Sequence, residues 1–387
     1  MFYPPELLTW VEMVSTHLPH LSRSQAQVLA WYSFAAGLVQ GCGLSQVSCF
    51  LAHLLGQSEE TLRQRLRESL YDADDKRGSQ RRDLNVSTCF APLLGWIVHH
   101  WVSDDATLVL ALDATTLRQT FTVLSISVIL GRCAIPVAWV VLPATKPGAW
   151  KPHWLALLSQ LDRPLAEWHV LVLADRGLYA KWLFRAIRAA DWHPLLRINA
   201  TGTCCLHATG QRLPLATVVA LCHRRWWRGR VTCFLAERQL ECSLLILWEQ
   251  GQKDAWLLLT DLPPEQVSPT WYALRMGIEA GFKAVKSAGL HWERTRMTDP
   301  DRATRLWLVL ALTCLRCALL APPADLRPVT TAPYPRLSLF TQGRLRQLAA
   351  LICAQPLPLS PLRLSALPPP PLLDFLDFST AALKTYP

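Results

Sequence analysis

The 387-residue sequence predicts an α/β protein, a mixed sheet flanked by helices, with a helical N-terminal domain and an inserted β subdomain. Three observations lead there. Apolar residues recur at helical spacing up to about residue 105, and from residue 106 the pattern changes to short runs rich in Val, Ile, Leu and Thr. Two of those runs, LVLALD and VLVLAD, end in a lone aspartate.

Residues 1–105 read as the helical domain, on the apolar spacing of SQAQVLAWYSFAAGLVQ and LSQVSCFLAHLLGQSEETLRQRLRESL. Ser58 stands where a cap is wanted, with Glu59 and Glu60 in the first turn behind it. The helix pair around Gly56 fits a plain structural bundle as well as a helix-turn-helix. In the second case Arg63, Arg65 and Arg67 would meet phosphates, with Lys76, Arg77, Arg81 and Arg82 adding charge.

Residues 106–200 give strand, strand, strand, helix near 150–161, strand, helix near 178–190 and strand, the pattern of a mixed sheet covered by helices. Residues 201–262 lack helical period and carry the strand-like pieces RVTCFLAERQL, CSLLILWEQ and AWLLLTD, with Gly210, Gly229 and Gly251 at expected turns. That stretch is the inserted β subdomain. Residues 263–321 return to the sheet domain through one helix from about Pro269 and another from about Asp301 to Leu320. Beyond them, 322–387 is dense in proline, so one short helix at 341–354 and a loose tail are expected.

Composition bounds the function. Hydrophobic residues make up 51% of the chain, enough for a sizeable core. The 39 Lys and Arg against 29 Asp and Glu give +10, which favours a polyanionic partner. The excess is uneven: residues 1–105 hold 8 basic and 11 acidic side chains and residues 106–200 hold 10 and 5, so the N-terminal domain is no basic arm. Twelve cysteines without regular spacing and no secretory leader point to a reducing cytoplasm. Cys314 and Cys317 form a lone CxxC, which reads as buried thiols rather than a zinc site. The longest apolar run, 306–320, contains Arg316 and is shorter than the roughly 20 residues a bilayer needs, so a buried helix is expected and no membrane span.

The segment WYALRMGIEAGFKAVK, residues 271–286, carries the chemistry. On an α-helix Tyr272, Arg275, Glu279 and Lys286 fall on one narrow stripe, while Leu274, Ile278, Phe282 and Val285 form an apolar edge able to dock on a core. Asp113 and Asp175, at two strand ends, stand where open α/β sheets build their sites. Bringing Glu279 to them gathers three carboxylates, whose repulsion requires cations between them. Mg²⁺ suits such an oxygen-only donor set, and two ions about 4 Å apart assist both the attacking and the leaving oxygen of a phosphoryl transfer.

On these residues the sequence resembles the DDE transposases of bacterial insertion sequences, in the group marked by a Tyr-Arg-Glu-Lys signature: Tyr272, Arg275, Glu279 and Lys286 match its spacing. Asp113, in ALDATTL, corresponds to the family's first acid, and Asp175, in LADRGLY, to its second. The long segment between Asp175 and Glu279 is similar to the group's β-strand insertion. The resemblance implies a ribonuclease-H-like catalytic domain over 106–200 and 263–321. It also implies metal ligation by Asp113, Asp175 and Glu279, with two Mg²⁺ ions for which Mn²⁺ substitutes and no nucleotide cofactor.

The implied partner is double-stranded DNA, both element ends and target, with the protein paired as a homodimer on it in the bacterial cytoplasm at the nucleoid. Arg275 and Lys286 are then expected to hold phosphates, Tyr272 to donate to another, and the stripe to form a DNA-facing rail. Arg176 joins these as the residue after the second acid. In HRRWWRGR, residues 223–230, Arg225 and Arg228 flank Trp226 and Trp227, an arrangement suited to a strand end with an unstacked base. Glu293, in HWERTR, is the rival for third acid.

Overall fold

The computed structural model describes residues 4–77, 81–102, 106–131, 133–144, 149–161, 163–223, 225–235, 239–249, 251–322, 337–356, 359–363 and 367–376. The chain opens with helices α1 (Pro5–His17), α2 (Arg23–Val39), α3 (Leu44–Leu55), α4 (Glu59–Ser69) and α5 (Phe90–His99). Ser22 caps α2 through a reciprocal bond pair with Gln25. Ser58 does occupy the cap position of α4, but its side chain makes no capping bond. Between α3 and α4 the chain turns at Gly56, whose φ of 60° favours glycine. Leu62 and Leu66 of α4 are buried, whereas Arg63, Arg65 and Arg67 are exposed.

His17, at the end of α1, stacks on Trp96 of α5 with ring centroids 4.5 Å apart, and His99 and His100 stand 5.6 and 5.7 Å away. Burial, reinforced by His100 and His99, pushes its pKa down from 6.5 to about 4. The unfolded chain takes up this proton near pH 6.5 and the folded chain only near 4. The contribution is therefore complete above the first value and lost as pH falls through the second. The ring is partly exposed, so the loss is discounted to about 1 kcal/mol. Urea titrations across this window are expected to show a shallower acid loss for His17→Gln than for the wild type.

Strands β1 (Thr107–Leu117), β2 (Phe121–Leu130) and β3 (Cys133–Pro143) form an antiparallel meander. Helix α6 (Lys151–Ser159) leads to β4 (His169–Ala174), and α7 (Lys181–Ala189) leads to β5 (His193–Arg197). β4 pairs in parallel with both β1 and β5, as helical crossovers require. This mixed sheet flanked by helices is the expected ribonuclease-H-like arrangement.

The inserted strands do not stand apart as a sheet of their own. β6 (Thr203–Leu206), β7 (Arg212–Pro214), β8 (Trp226–Cys233), β9 (Leu240–Leu247) and β10 (Trp256–Thr260) continue the main sheet, with the short helix α8 (Leu215–Leu221) between β7 and β8. The join is antiparallel, Leu258 opposite Arg197 and Leu259 opposite Leu196. Among the described residues the sheet runs β3-β2-β1-β4-β5-β10-β9-β8-β6-β7. Gly210 and Gly251 sit in turns with φ of 69° and 85°, whereas Gly229 lies inside β8, where a Cβ would strike the Trp227 ring.

After the insertion come α9 (Met276–Lys283) and α10 (Pro300–Leu320), followed by α11 (Leu339–Cys353). α10 is long and apolar enough by composition to cross a membrane, yet it lies enclosed by β3, α2 and α11. Hydrogen bonds tie it to partners remote in sequence. Trp139 donates to the Thr304 carbonyl, Thr313 to the Ser33 carbonyl, and Arg305 to Asp72 and the Leu70 carbonyl. Arg316 is buried against the rings of Trp10 and Phe34, and Cys314 and Cys317 are buried thiols on the same helix.

Part of the expected loose tail is packed. Leu362 exchanges backbone bonds with His100 and Val102, and Ser360 donates to the Leu319 carbonyl. Pro369 accepts from the Thr270 hydroxyl, and Asp374 and Leu376 bond the backbone of Trp226. Proline cannot supply ladder donors, but its carbonyls still accept, so such a segment can strap a surface without joining a sheet. Residues 377–387, the end of that tail, lie outside the described residues.

Candidate active site

The parallel ladder between β1 and β4 stops at Leu112 opposite Ala174, so Asp113 and Asp175 occupy the same next position on neighbouring strands. β1 itself runs on to Leu117 against β2, so Asp113 ends the parallel pairing rather than the strand. Each aspartate is oriented locally. Asp113 Oδ1 accepts from the Ala114 amide at 2.8 Å, and Asp175 Oδ1 accepts from the Arg176 amide at 2.7 Å.

The third acid arrives on a segment that changes helix type twice. Pro269–Arg275 is 3₁₀, α9 is α-helical and Ala284–Ala288 is π, where a single α-helix was expected. Residues three apart eclipse one another in a 3₁₀-helix, so Tyr272 and Arg275 are aligned, and Glu279 follows one α-turn later. The π turn then brings Lys286 Nζ to 3.1 Å from Thr115 Oγ1. On the opposite face, Gly277 and Gly281 let α9 lie against the start of β3. A Cβ there would come to 3.0 Å from the Cys133 oxygen and 2.9 Å from that of Ala134. These glycines, spaced Gly-x-x-x-Gly around Glu279, are the sequence signal for that close approach.

Arg275 stands among the acids. Its Nη2 is 2.8 Å from Asp113 Oδ2 and 3.7 Å from Asp175 Oδ2, and its Nη1 is 3.1 Å from Glu279 Oε1. The Tyr272 hydroxyl donates to Asp175 Oδ1 at 3.3 Å. The stripe faces inward in this state: Tyr272 is 4% exposed and Arg275 9%. Three carboxylates near one guanidinium outweigh the solvation that either partner would gain by turning outward. Glu279 keeps its side chain 52% exposed. Glu293 lies on the later turn Trp292–Arg294 and is not among the three.

Burial raises the Asp113 pKa, and the Arg275 charge opposes that shift without cancelling it. For Arg275, burial disfavours the charge, but Asp113, Tyr272, Asp175 and Glu279 together hold its pKa above the usual value. Burial is also the main reason that the Tyr272 hydroxyl titrates well above its ordinary range. Tyr272 is accordingly a neutral donor at physiological pH.

The donor set is carboxylate oxygen throughout, which suits a hard divalent ion. In the state described, however, the acids gather around Arg275 rather than around one another. Among the described residues no His, Cys, Asp or Glu group is close enough to enclose a metal.

The side chains of the remaining expected residues make other contacts. Arg176 is half-exposed and paired with Asp254 at 3.3 Å, and Arg225 is exposed at the entry to β8. The Arg228 guanidinium lies 5.3 Å from the Trp226 ring centre. Trp226 is buried edge-on to Phe375 of the C-terminal strap, and Trp227 is buried in the core beside Gly229. Neither indole presents a free face in this arrangement.

Residues 137–315 match the family model described as the transposase DDE domain. The match runs from within β3 into α10 and includes Asp175, Tyr272, Arg275, Glu279 and Lys286, while Asp113 lies before it. It supports a transposase-type enzyme that acts on DNA. None of the curated proteins matches the chain.

Proposed function

We propose that the protein is the DNA transposase of an insertion sequence, binding the element ends and carrying out divalent-metal-dependent cleavage and strand transfer through Asp113, Asp175 and Glu279. The observation that carries this reading is the convergence of three acids, far apart in sequence, on the single guanidinium of Arg275. It occurs within a sheet domain much of which matches a transposase DDE domain.

When bound, Mg²⁺ or Mn²⁺ supplies the charge that polarises the attacking and leaving oxygens of phosphoryl transfer. The chain's own residues do the rest. Asp113 and Asp175, fixed on adjacent strands, hold the ligating oxygens in place, and Glu279 closes the set from α9. Lys286, tied to Thr115, keeps a cation beside the site for a phosphate, and Arg176, Arg225 and Arg228 are the further phosphate contacts in this reading. No covalent enzyme intermediate is required. Stacking of an unpaired base on Trp226 requires the strap at Phe375 to move aside. A homodimer on DNA brings two element ends together, in the bacterial cytoplasm at the nucleoid.

The test is an assay on linear duplex carrying the inverted repeats that flank the gene, with Mg²⁺ or Mn²⁺. Nicks at the element ends that need the metal, followed by joined product, are expected. Nicking without joining would make the protein a nuclease of the same fold. Binding without nicking would make it a silent DNA-binding descendant.

A further inference from the structure

Arg275 touches an oxygen of every carboxylate that the proposed reaction needs free. Only 11% of its side chain is exposed, and its Nε is buried without a partner, so the guanidinium is held by the acids rather than by a full hydrogen-bond shell. A divalent ion placed on the same oxygens would be repelled by it at close range. We infer that Arg275 is an internal counter-ion that latches the acids in the metal-free protein and competes with divalent ions for Asp113, Asp175 and Glu279. The inference rests on the transposase reading of this site.

The release is built into the local fold. Arg275 sits at the junction between the 3₁₀ segment and α9, and Glu279 beyond it is half-exposed. A DNA phosphate brought to the site offers the guanidinium a bidentate partner. It draws Arg275 off the acids and opens them to metal. By linkage, metal and DNA phosphate then strengthen each other's binding, and the free protein is kept from loading its ions without substrate.

Binding of Mn²⁺ alone to the full chain without DNA, read from loss of the free-ion paramagnetic resonance signal, tests the latch. Arg275→Gln is expected to bind Mn²⁺ about tenfold more tightly than the wild type. Its melting temperature is expected to fall without metal and to recover when Mn²⁺ is added, a crossover that a merely structural arginine would not give. Arg275→Lys keeps the charge but loses the planar fork, so it carries the test if the glutamine variant does not fold. Its affinity is expected to lie between the other two. Adding Asp113→Asn to Arg275→Gln is expected to remove the gain, placing the ion at this site. Equal or weaker Mn²⁺ binding by the arginine variants would overturn the latch and leave the reading of the site intact. Absence of Mn²⁺ binding in every protein would overturn that reading itself.

Discussion

Asp113→Asn, Asp175→Asn and Glu279→Gln, made one at a time, are each expected to lower metal-dependent DNA cleavage at least about a hundredfold, the scale of losing one preorganised charge-stabilising group. Each change keeps the shape of the side chain and removes one anionic donor. Asn at 113 still accepts from the Ala114 amide and Asn at 175 from the Arg176 amide, so the local backbone at both positions stays formed. Because the three groups act as one unit, a double variant is expected to be little worse than a single one. Cleavage of labelled duplex gives the rates, and melting temperature serves as the control. Asp113→Asn is expected to leave stability unchanged or slightly raised, because burial already disfavours that charge. A variant that melts normally and still cuts at the wild-type rate would remove its residue from the site.

Gly343→Ala is expected to destabilise the fold by about 3 kcal/mol, read as a lower urea midpoint. Gly343 lies on α11 where that helix crosses α10, and a Cβ there would collide with the Cys317 carbonyl, its carbon only 2.7 Å away. Backbone cannot turn aside as a flexible side chain can, so α11 must lift from the helix at the centre of the protein. Gly95→Ala is the matched control. Gly95 is also helical, with nothing within 4 Å of the added Cβ, and should gain up to about 1 kcal/mol from helix propensity. Opposite signs for the two substitutions would separate packing from propensity.

The strands and the main helices were legible in the sequence because hydrophobic period is a local signal. Asp113 and Asp175 were marked as acids closing hydrophobic runs, and Glu279 by the resemblance to the Tyr-Arg-Glu-Lys signature. Other features depended on partners remote in sequence. The 3₁₀, α and π succession at 269–288 is imposed by docking against β3, where Gly277 and Gly281 permit close approach, and no propensity in WYALRMGIEAGFKAVK announces it. The strap over Trp226 is not announced by the sequence, because proline density signals the absence of regular structure, not the absence of contacts.

The sequence by itself determined that Tyr272, Arg275 and Glu279 recur at spacings of three and four and which hydrophobic runs carry Asp113 and Asp175, since both are local patterns. Only the tertiary structure decided which way the stripe faces. Arg275 turns toward Asp113, Asp175 and Glu279 because three carboxylates brought within a few ångströms draw the nearest cation among them, and that proximity exists only once β1, β4 and α9 are assembled.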